Sequence, residues 1–237
     1  MRLYHIIPAL LSISTALSSY QSPQQSARET TDSQETRQLL FEEQFDKLDS
    51  TKWVMEIAPA PASSVYVKDG KLWMDTYGGV TVWLNHQLEG NIEIEYERTV
   101  VLDSGANDRV SDLNQFWMAT DPNRDSLFSR SGIFEEYDSL SLYYVGMGGN
   151  TNTTTRFRKY EGTGEKPLLY ERDDQLLEAN RTYHIRTVVK DGTTSFWVDG
   201  ELVFSHEDPE PLTKGYFGFR STYSRHSIDA LKIYQIE

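Results

Sequence analysis

The residues best suited to chemistry gather between Ser141 and Tyr160, SLYYVGMGGNTNTTTRFRKY. Arg156 and Arg158 stand at alternate positions, so on a strand they share a face. A guanidinium fork matches a carboxylate. Tyr143 and Tyr144 precede a glycine-rich break, Gly146 to Asn150, which lets backbone approach a ligand closely. Asn114, Gln115, Arg220 and His226 complete a set able to act on a uronate. β-Elimination there needs a cation or amide to neutralise the sugar carboxylate. It also needs a base for the C5 proton and an acid for the leaving oxygen. Arg156 and Arg158 would neutralise, and His226 would be the base, because small shifts bring its pKa near neutrality. Tyr143 or Tyr144 would be the acid. Plainer readings exist for each: paired tyrosines are good strand formers, and a histidine near a domain end often has a structural role.

Binding without reaction asks for less. Trp83, Asn85, His86, Trp117, Tyr143, Tyr144 and Asn150 would stack sugar rings and bond their hydroxyls, with Asn114 and Arg220 beside them. Trp83 and Trp117 suit a sandwich core equally well. A retaining glycosidase instead needs two carboxyl groups about 5–5.5 Å apart. Glu93, Glu95 and Glu97 share one strand face, but the same alternation describes a solvated sheet face.

These groups need strands to position them, and the sequence supplies many. KLWMDTY, NIEIEYERTVV, DLNQFWMAT, SLSLYYVGM, RTYHIRTVV, TSFWVDG, ELVFS, GYFGFRS and ALKIYQIE are short segments closed by Gly, Asn or Asp. Asp199-Gly200 between two of them reads as a hairpin turn. In NIEIEYE, Ile92, Ile94 and Tyr96 face one way and the glutamates the other. In SLYYV, Leu142 and Tyr144 face one way with Leu140, and Ser141, Tyr143 and Val145 the other. Asn150, Asn152 and Thr153 to Thr155 then form a polar rim, from which Arg156 and Arg158 return along a groove. No sustained helical period, internal repeat or second domain is visible. The expected fold is an all-β jelly-roll sandwich of two antiparallel sheets.

The chain has 237 residues, no cysteine and a formal charge of −13. That charge argues against nucleic acid and against an anionic membrane surface as partners. It leaves room for an anionic sugar held by local arginines. A polysaccharide or oligosaccharide and a monomeric state are the expectation. Residues 1–18 read as a secretory signal peptide, with Ala16 and Ser18 spaced for cleavage, so a secreted or periplasmic location is expected. Residues 19–38 are polar and read as a disordered linker, leaving 39–237 as the domain. No spacing suggests zinc or a nucleotide.

Two segments, LLFEEQFDKLDSTKWVMEI and GYFGFRSTYSRHSIDALKIYQIE, open and close the domain with VDGELVF before the close. Together they resemble the concanavalin A-like lectin/glucanase superfamily. GGVTVWLNHQLEGNIEIEYE, LNQFWMATDP and YDSLSLYYVGMGGNTNTTTRFRKY resemble domain-of-unknown-function family 6250, similar to YesU-type proteins. The resemblance implies a concanavalin A-like jelly roll and a role near plant or algal polysaccharide breakdown. Glucanases of that superfamily carry Glu-x-Asp-x-x-Glu, and Phe134 to Ser139, FEEYDS, does not fit it. The superfamily also often holds a structural Ca²⁺ near the first and last strands, where Glu43 and Asp229 stand; no cofactor is required. The leading expectation is a lyase cleaving a uronate-containing glycan. The alternatives are a non-catalytic glycan-binding module and a glycosidase with an atypical carboxylate pair.

Overall fold

The computed structural model describes residues 36–237. The expected signal segment and the linker up to residue 35 lie outside the described residues. Sixteen strands are present among the described residues. In chain order they are β1 (Arg37–Glu43), β2 (Trp53–Ile57), β3 (Ser64–Lys68), β4 (Lys71–Thr76), β5 (Val80–Leu84), β6 (Leu88–Glu89), β7 (Ile92–Val100) and β8 (Leu113–Thr120). There follow β9 (Ser141–Gly148), β10 (Thr154–Glu161), β11 (Leu168–Arg172), β12 (Thr182–Lys190), β13 (Thr193–Val198), β14 (Glu201–Glu207), β15 (Lys214–Ser221) and β16 (Ser224–Ile236). They form two antiparallel sheets. Sheet one has the order β14-β13-β12-β7-β16-β4-β3, with β1 also on β16. Sheet two has the order β11-β10-β9-β8-β15-β5-β2, with β6 on β15. The expected all-β sandwich is therefore the observed one.

Residue parity builds the core between the sheets. Ile92, Ile94 and Tyr96 of β7 and Ile228 and Ile233 of β16 meet Val145 of β9, Trp117 of β8 and Phe217 and Phe219 of β15 there. The intervening glutamates of β7 lie on the other face of sheet one. Glu93 is held by Arg37 and Arg186, and Glu95 by Arg37 at 3.0 Å. Ion pairs on the outer face account for Glu93 and Glu95. The same contact moves the domain's edge, because Arg37 and Gln38 pair with Ile236 and Gln235 and belong to β1 rather than to a linker. Their polarity hid a strand whose outward side chains are satisfied by ions. The hairpin between β13 and β14 turns at Asp199 and Gly200, both with positive φ, as expected.

Sheet two is unusual in being buried on both faces. Its outer face carries Trp83, Phe116, Leu142, Tyr144 and Tyr160, which pack with Leu127, Tyr137 and Leu140 of the segment between β8 and β9. That segment includes a 3₁₀ turn, Phe134–Ser139. Two polar hubs pin it down. Arg130 pairs with Asp121 at 2.7 Å and donates to the Leu127 and Glu136 carbonyls. Buried Glu56 of β2 accepts from Trp83 Nε1 at 2.8 Å, the Tyr137 hydroxyl at 2.7 Å and the Arg130 backbone N–H at 2.7 Å. The segment covers part of the outer face and leaves the rest as a groove with one wall.

Candidate functional site

Strand register lays a polar row across sheet two. Reading across neighbours, the row runs Glu56, Thr81, Arg220, Asn114, Gly146, Arg156, Glu171. The row two residues along reads Val54, Trp83, Gly218, Phe116, Tyr144, Arg158, Leu168. Both rows project to the outer face, because strand side chains alternate. Gly146 leaves a gap in the polar row, and the Tyr144 hydroxyl leans over it. A Cβ at Gly146 would stand 2.2 Å from that hydroxyl and 3.1 Å from Asn114 Oδ1. From Arg220 to Arg156 is three strand spacings, about 14 Å.

A cavity of about 660 Å³ opens above this row. Asn114, Arg220, Tyr144 and Asp112 lie at its floor, Ile133 and Phe134 on the loop side, and Tyr77 and Tyr223 at the other side. A smaller hollow of about 320 Å³ continues it through Tyr144 and Asp112 toward Arg158, Tyr160 and Lys166. The size falls in the range of small-molecule sites. Tyr77 and Tyr223 are half exposed and meet edge to face with ring centroids 5.4 Å apart. They sit in two of the turns that carry the chain between the sheets, β4 to β5 and β15 to β16. Arg109 lies 5.4 Å over the Tyr223 ring, accepts nothing, and donates to the Thr222 carbonyl and to Asp112 at 2.6 Å.

The floor is short of partners. Asn114 is buried, donates to Asp112 Oδ1 at 3.3 Å, and leaves its own Oδ1 without a hydrogen bond. The buried Tyr160 hydroxyl also lacks one. Arg220 is 2 % exposed and pairs with no carboxylate among the described residues. It donates to Thr81 Oγ1 at 2.8 Å and to the Gly132 carbonyl at 3.1 Å from each Nη, and lies 4.7 Å from the Phe134 and Tyr137 rings. Burial pulls the Arg220 guanidinium below its ordinary range, against the pull of the neighbouring tyrosines. Burial likewise holds the Tyr144 hydroxyl well above the ordinary tyrosine range, with Asp112 adding to it. Tyr144 therefore stays protonated and serves as a donor.

The sequence-predicted residues divide by strand parity. Tyr144, Asn114, Arg220, Arg156, Arg158 and Asn150 come together along the groove. Arg156 is paired there with Glu171, whereas Arg158 donates to the Lys166 carbonyl at 2.8 Å. Asn150 is exposed, with Asn150 to Asn152 all left-handed in φ, so the glycine-rich break ends in one left-handed turn. The other residues are elsewhere. His226 is fully buried between the sheets, where its Nδ1 accepts from Arg98 Nε at 3.1 Å, so it does not reach the groove as a base. Tyr143 points into the same interior and donates to Asp208 at 2.5 Å. Gln115 also faces inward, between the Tyr96 hydroxyl and Thr187. Trp117 is core, bonded to Thr194 Oγ1 at 3.0 Å. Trp83 is on the groove face but sealed under the loop by its bond to Glu56. Asn85 and His86 are exposed in the turn after β5, away from the cavity lining; Asn85 donates to the Thr51 carbonyl and His86 stacks on Phe41.

Residues 74–231 match the family described as "Domain of unknown function (DUF6250)". The chain belongs to the DUF6250 family. The DUF6250 chain superposes on a Bacillus subtilis protein of unknown function with a galectin-like fold, with a TM-score of 0.69 and 17% identity over 85% of this chain and 98% of that one. It also matches the carbohydrate-binding module CBM66 from B. subtilis, with a TM-score of 0.56 and 12% identity over 78% and 96% of the two chains. A third match is LamA E269S from Z. galactanivorans, solved with laminaritriose and laminaritetraose, with a TM-score of 0.58 and 13% identity over 83% and 98%. At these identities the likeness establishes the concanavalin A-like fold. A comparison with curated proteins finds no match.

Within the DUF6250 chain, sequence reasoning missed Tyr77, Tyr223, Asp112 and Glu56. The Gly78-Gly79 pair beside Tyr77 was the available signal, because it marks a turn whose aromatic residue stands clear of a strand. The expected calcium ligands do not fit the ion. Glu43 holds Lys52 at 3.0 Å and accepts from the Phe45 N–H, while Asp229 holds Lys71 at 3.2 Å. Among the described residues no cluster of three or more acidic or histidine side chains stands ready for a metal. Ca²⁺ takes 6–8 oxygen ligands, which two lysine-bound carboxylates do not supply.

Proposed function

We propose that the domain is a glycan-binding module, with a saccharide chain lying along the polar row of sheet two. The observation that carries this reading is the exposed Tyr77–Tyr223 pair beside a cavity floored by Arg220, Asn114 and Tyr144. Half-exposed aromatic rings present flat apolar area at low entropic cost, which suits the apolar face of a sugar ring. Orphaned polar groups below them suit its hydroxyls. Support also comes from solved neighbours that are a carbohydrate-binding module and a laminarin-oligosaccharide complex. An exported location, expected from residues 1–18, would bring the site to such polymers.

The lyase reading is weaker at one point. Its base, His226, lies behind the sheet, and Tyr144 keeps its proton, so the groove has an acid and cations without the assigned base. The glycosidase reading loses Glu93 and Glu95 to Arg37 and Arg186.

Affinity electrophoresis of the full chain in gels containing neutral and acidic polysaccharides tests the proposal. Retardation by at least one polymer is expected, and Tyr77→Ala or Tyr223→Ala should weaken it about tenfold with little change in melting temperature. Unretarded migration in every gel overturns it. Appearance of unsaturated uronate in the ultraviolet during incubation would move the assignment to a lyase.

A further inference from the structure

The feature of the cavity that protein contacts leave unexplained is Arg220. A guanidinium carries five N–H donors. Three Arg220 bonds to Thr81 and Gly132 are made by Nη1 and Nη2. These occupy the end of the group and leave Nε–H with one Nη2–H, which lie side by side on its edge. Phe134 and Tyr137 at 4.7 Å hold the plane of the cation without neutralising it. A charge taken out of water usually finds an opposite charge, because its desolvation is otherwise uncompensated. The nearest carboxylates at the cavity do not fill that role. Asp112 is committed to Arg109, and Glu135 is exposed at the rim.

Resting on the glycan-binding reading, we propose that the floor of this cavity is a carboxylate subsite, and that the glycan it selects contains uronic acid. The free edge of Arg220 takes the two oxygens of the carboxylate in the planar paired geometry that guanidinium groups favour. The Tyr144 hydroxyl is the additional donor. Asn114 faces Arg220 directly across the β8–β15 pair, and its unpartnered Oδ1 accepts from a hydroxyl of the same sugar. Arg158, about three strand spacings away and also without a carboxylate partner, stands where a later acidic residue of the chain would pass. Gly146 between them leaves the room in which the Tyr144 hydroxyl lies next to Asn114.

The test compares one polymer with its own neutral derivative. Oligosaccharides of pectate, alginate and glucuronan are titrated calorimetrically into the full chain. Each is then titrated again after its carboxyl groups have been reduced to primary alcohols. Neutral laminarin and a sulfated galactan complete the set. At least one uronate oligosaccharide should bind, and its reduced form should bind at least about tenfold more weakly, as expected for loss of a charge-assisted pair. Arg220→Lys keeps the charge and loses the fork; it should weaken binding of the uronate by a larger factor than binding of the reduced form. Because Arg220 also ties down Gly132, the decisive comparison is the one between ligands on the unaltered protein. Equal binding of native and reduced forms, or binding of laminarin alone, overturns the carboxylate subsite and leaves glycan binding standing. Binding of the sulfated galactan alone overturns it in favour of a sulfate site. No binding of any member overturns both readings.

Discussion

Arg98 donates from Nε to Nδ1 of His226 at 3.1 Å in the space between the sheets, and its two other nitrogens bond the carbonyls of Asn114 and Arg220. The interior thus grips the backbone of two of the residues that form the cavity floor, Asn114 and Arg220. Burial brings the Arg98 guanidinium down to about 10, still charged at neutral pH. Burial first, and then the Arg98 charge, push the His226 imidazole well below its ordinary value. The folded protein therefore keeps His226 neutral where the unfolded chain protonates it. Below about pH 6.5 the unfolded state binds more protons, so stability falls as the pH falls. Unfolding free energies between pH 8 and 5 should decline below pH 6.5, with a slope of up to about 1.4 kcal/mol per pH unit from this group. In His226→Gln that part of the slope should vanish. An unchanged slope in the variant would place the protonating group elsewhere.

A second expectation concerns the gap in the polar row. The Cβ of Gly146→Ala would stand 2.2 Å from the Tyr144 hydroxyl and must push the ring toward the cavity. Overpacking of this kind costs about 1–3 kcal/mol. Thermal melts should show that loss, and polysaccharide retardation should drop further than the melt alone explains. Wild-type retardation in a folded Gly146→Ala protein would mean that the glycan does not cross the row at Gly146.

Parity was legible in the sequence, and the identity of the faces was not. Tyr143 and Tyr144 do point to opposite sides, as do Ile94 and Glu95. The difficulty lies in sheet two, where the loop between β8 and β9 buries the outer face as well as the inner one. Apolar residues on both faces of β8 and β9 then give no cue to which side meets a ligand. Trp83 and Phe116 look the same in sequence as Trp117, although they belong to different layers. His226 and Arg220 are near in sequence but lie in different sheets, and the turn at Tyr223 that separates them has no strong sequence marker. Tyr77 and Tyr223 meet only because β5 neighbours β15 and β4 neighbours β16, which is a property of the topology alone.

The turn after β5 provides a contrast with the proposed rim. Asn85 and His86 are exposed polar and aromatic residues, as sugar-binding residues often are, but they lie outside the cavity lining. Asn85→Ala and His86→Ala should leave polysaccharide retardation within twofold of the unaltered protein, while Tyr77→Ala lowers it about tenfold. A larger effect at His86 than at Tyr77 would relocate the binding surface to the β2–β5 edge of the sheet.

The loop that walls the cavity depends on one carboxylate. Glu56 accepts three bonds, from Trp83, Tyr137 and the Arg130 backbone, while almost wholly buried. Glu56→Ala removes the acceptor and leaves three donors without a partner, each worth about 1–3 kcal/mol when buried. Some of that is recovered if the loop lifts and water reaches the donors. A loss of several kcal/mol is therefore expected in denaturant unfolding, or, if the loop detaches first, a reduced near-ultraviolet circular dichroism signal from Trp83 and Tyr137 before the main transition. Detachment would also remove Ile133 and Phe134 from the cavity wall and free the Arg220 end now bound to Gly132, so polysaccharide retardation should fall with the spectral change. Glu56→Gln retains the volume and one acceptor oxygen and should lie between the two. A Glu56→Ala protein with an unchanged spectrum and unchanged unfolding would show that the aromatic layer of Trp83, Phe116 and Tyr137 holds the loop without it.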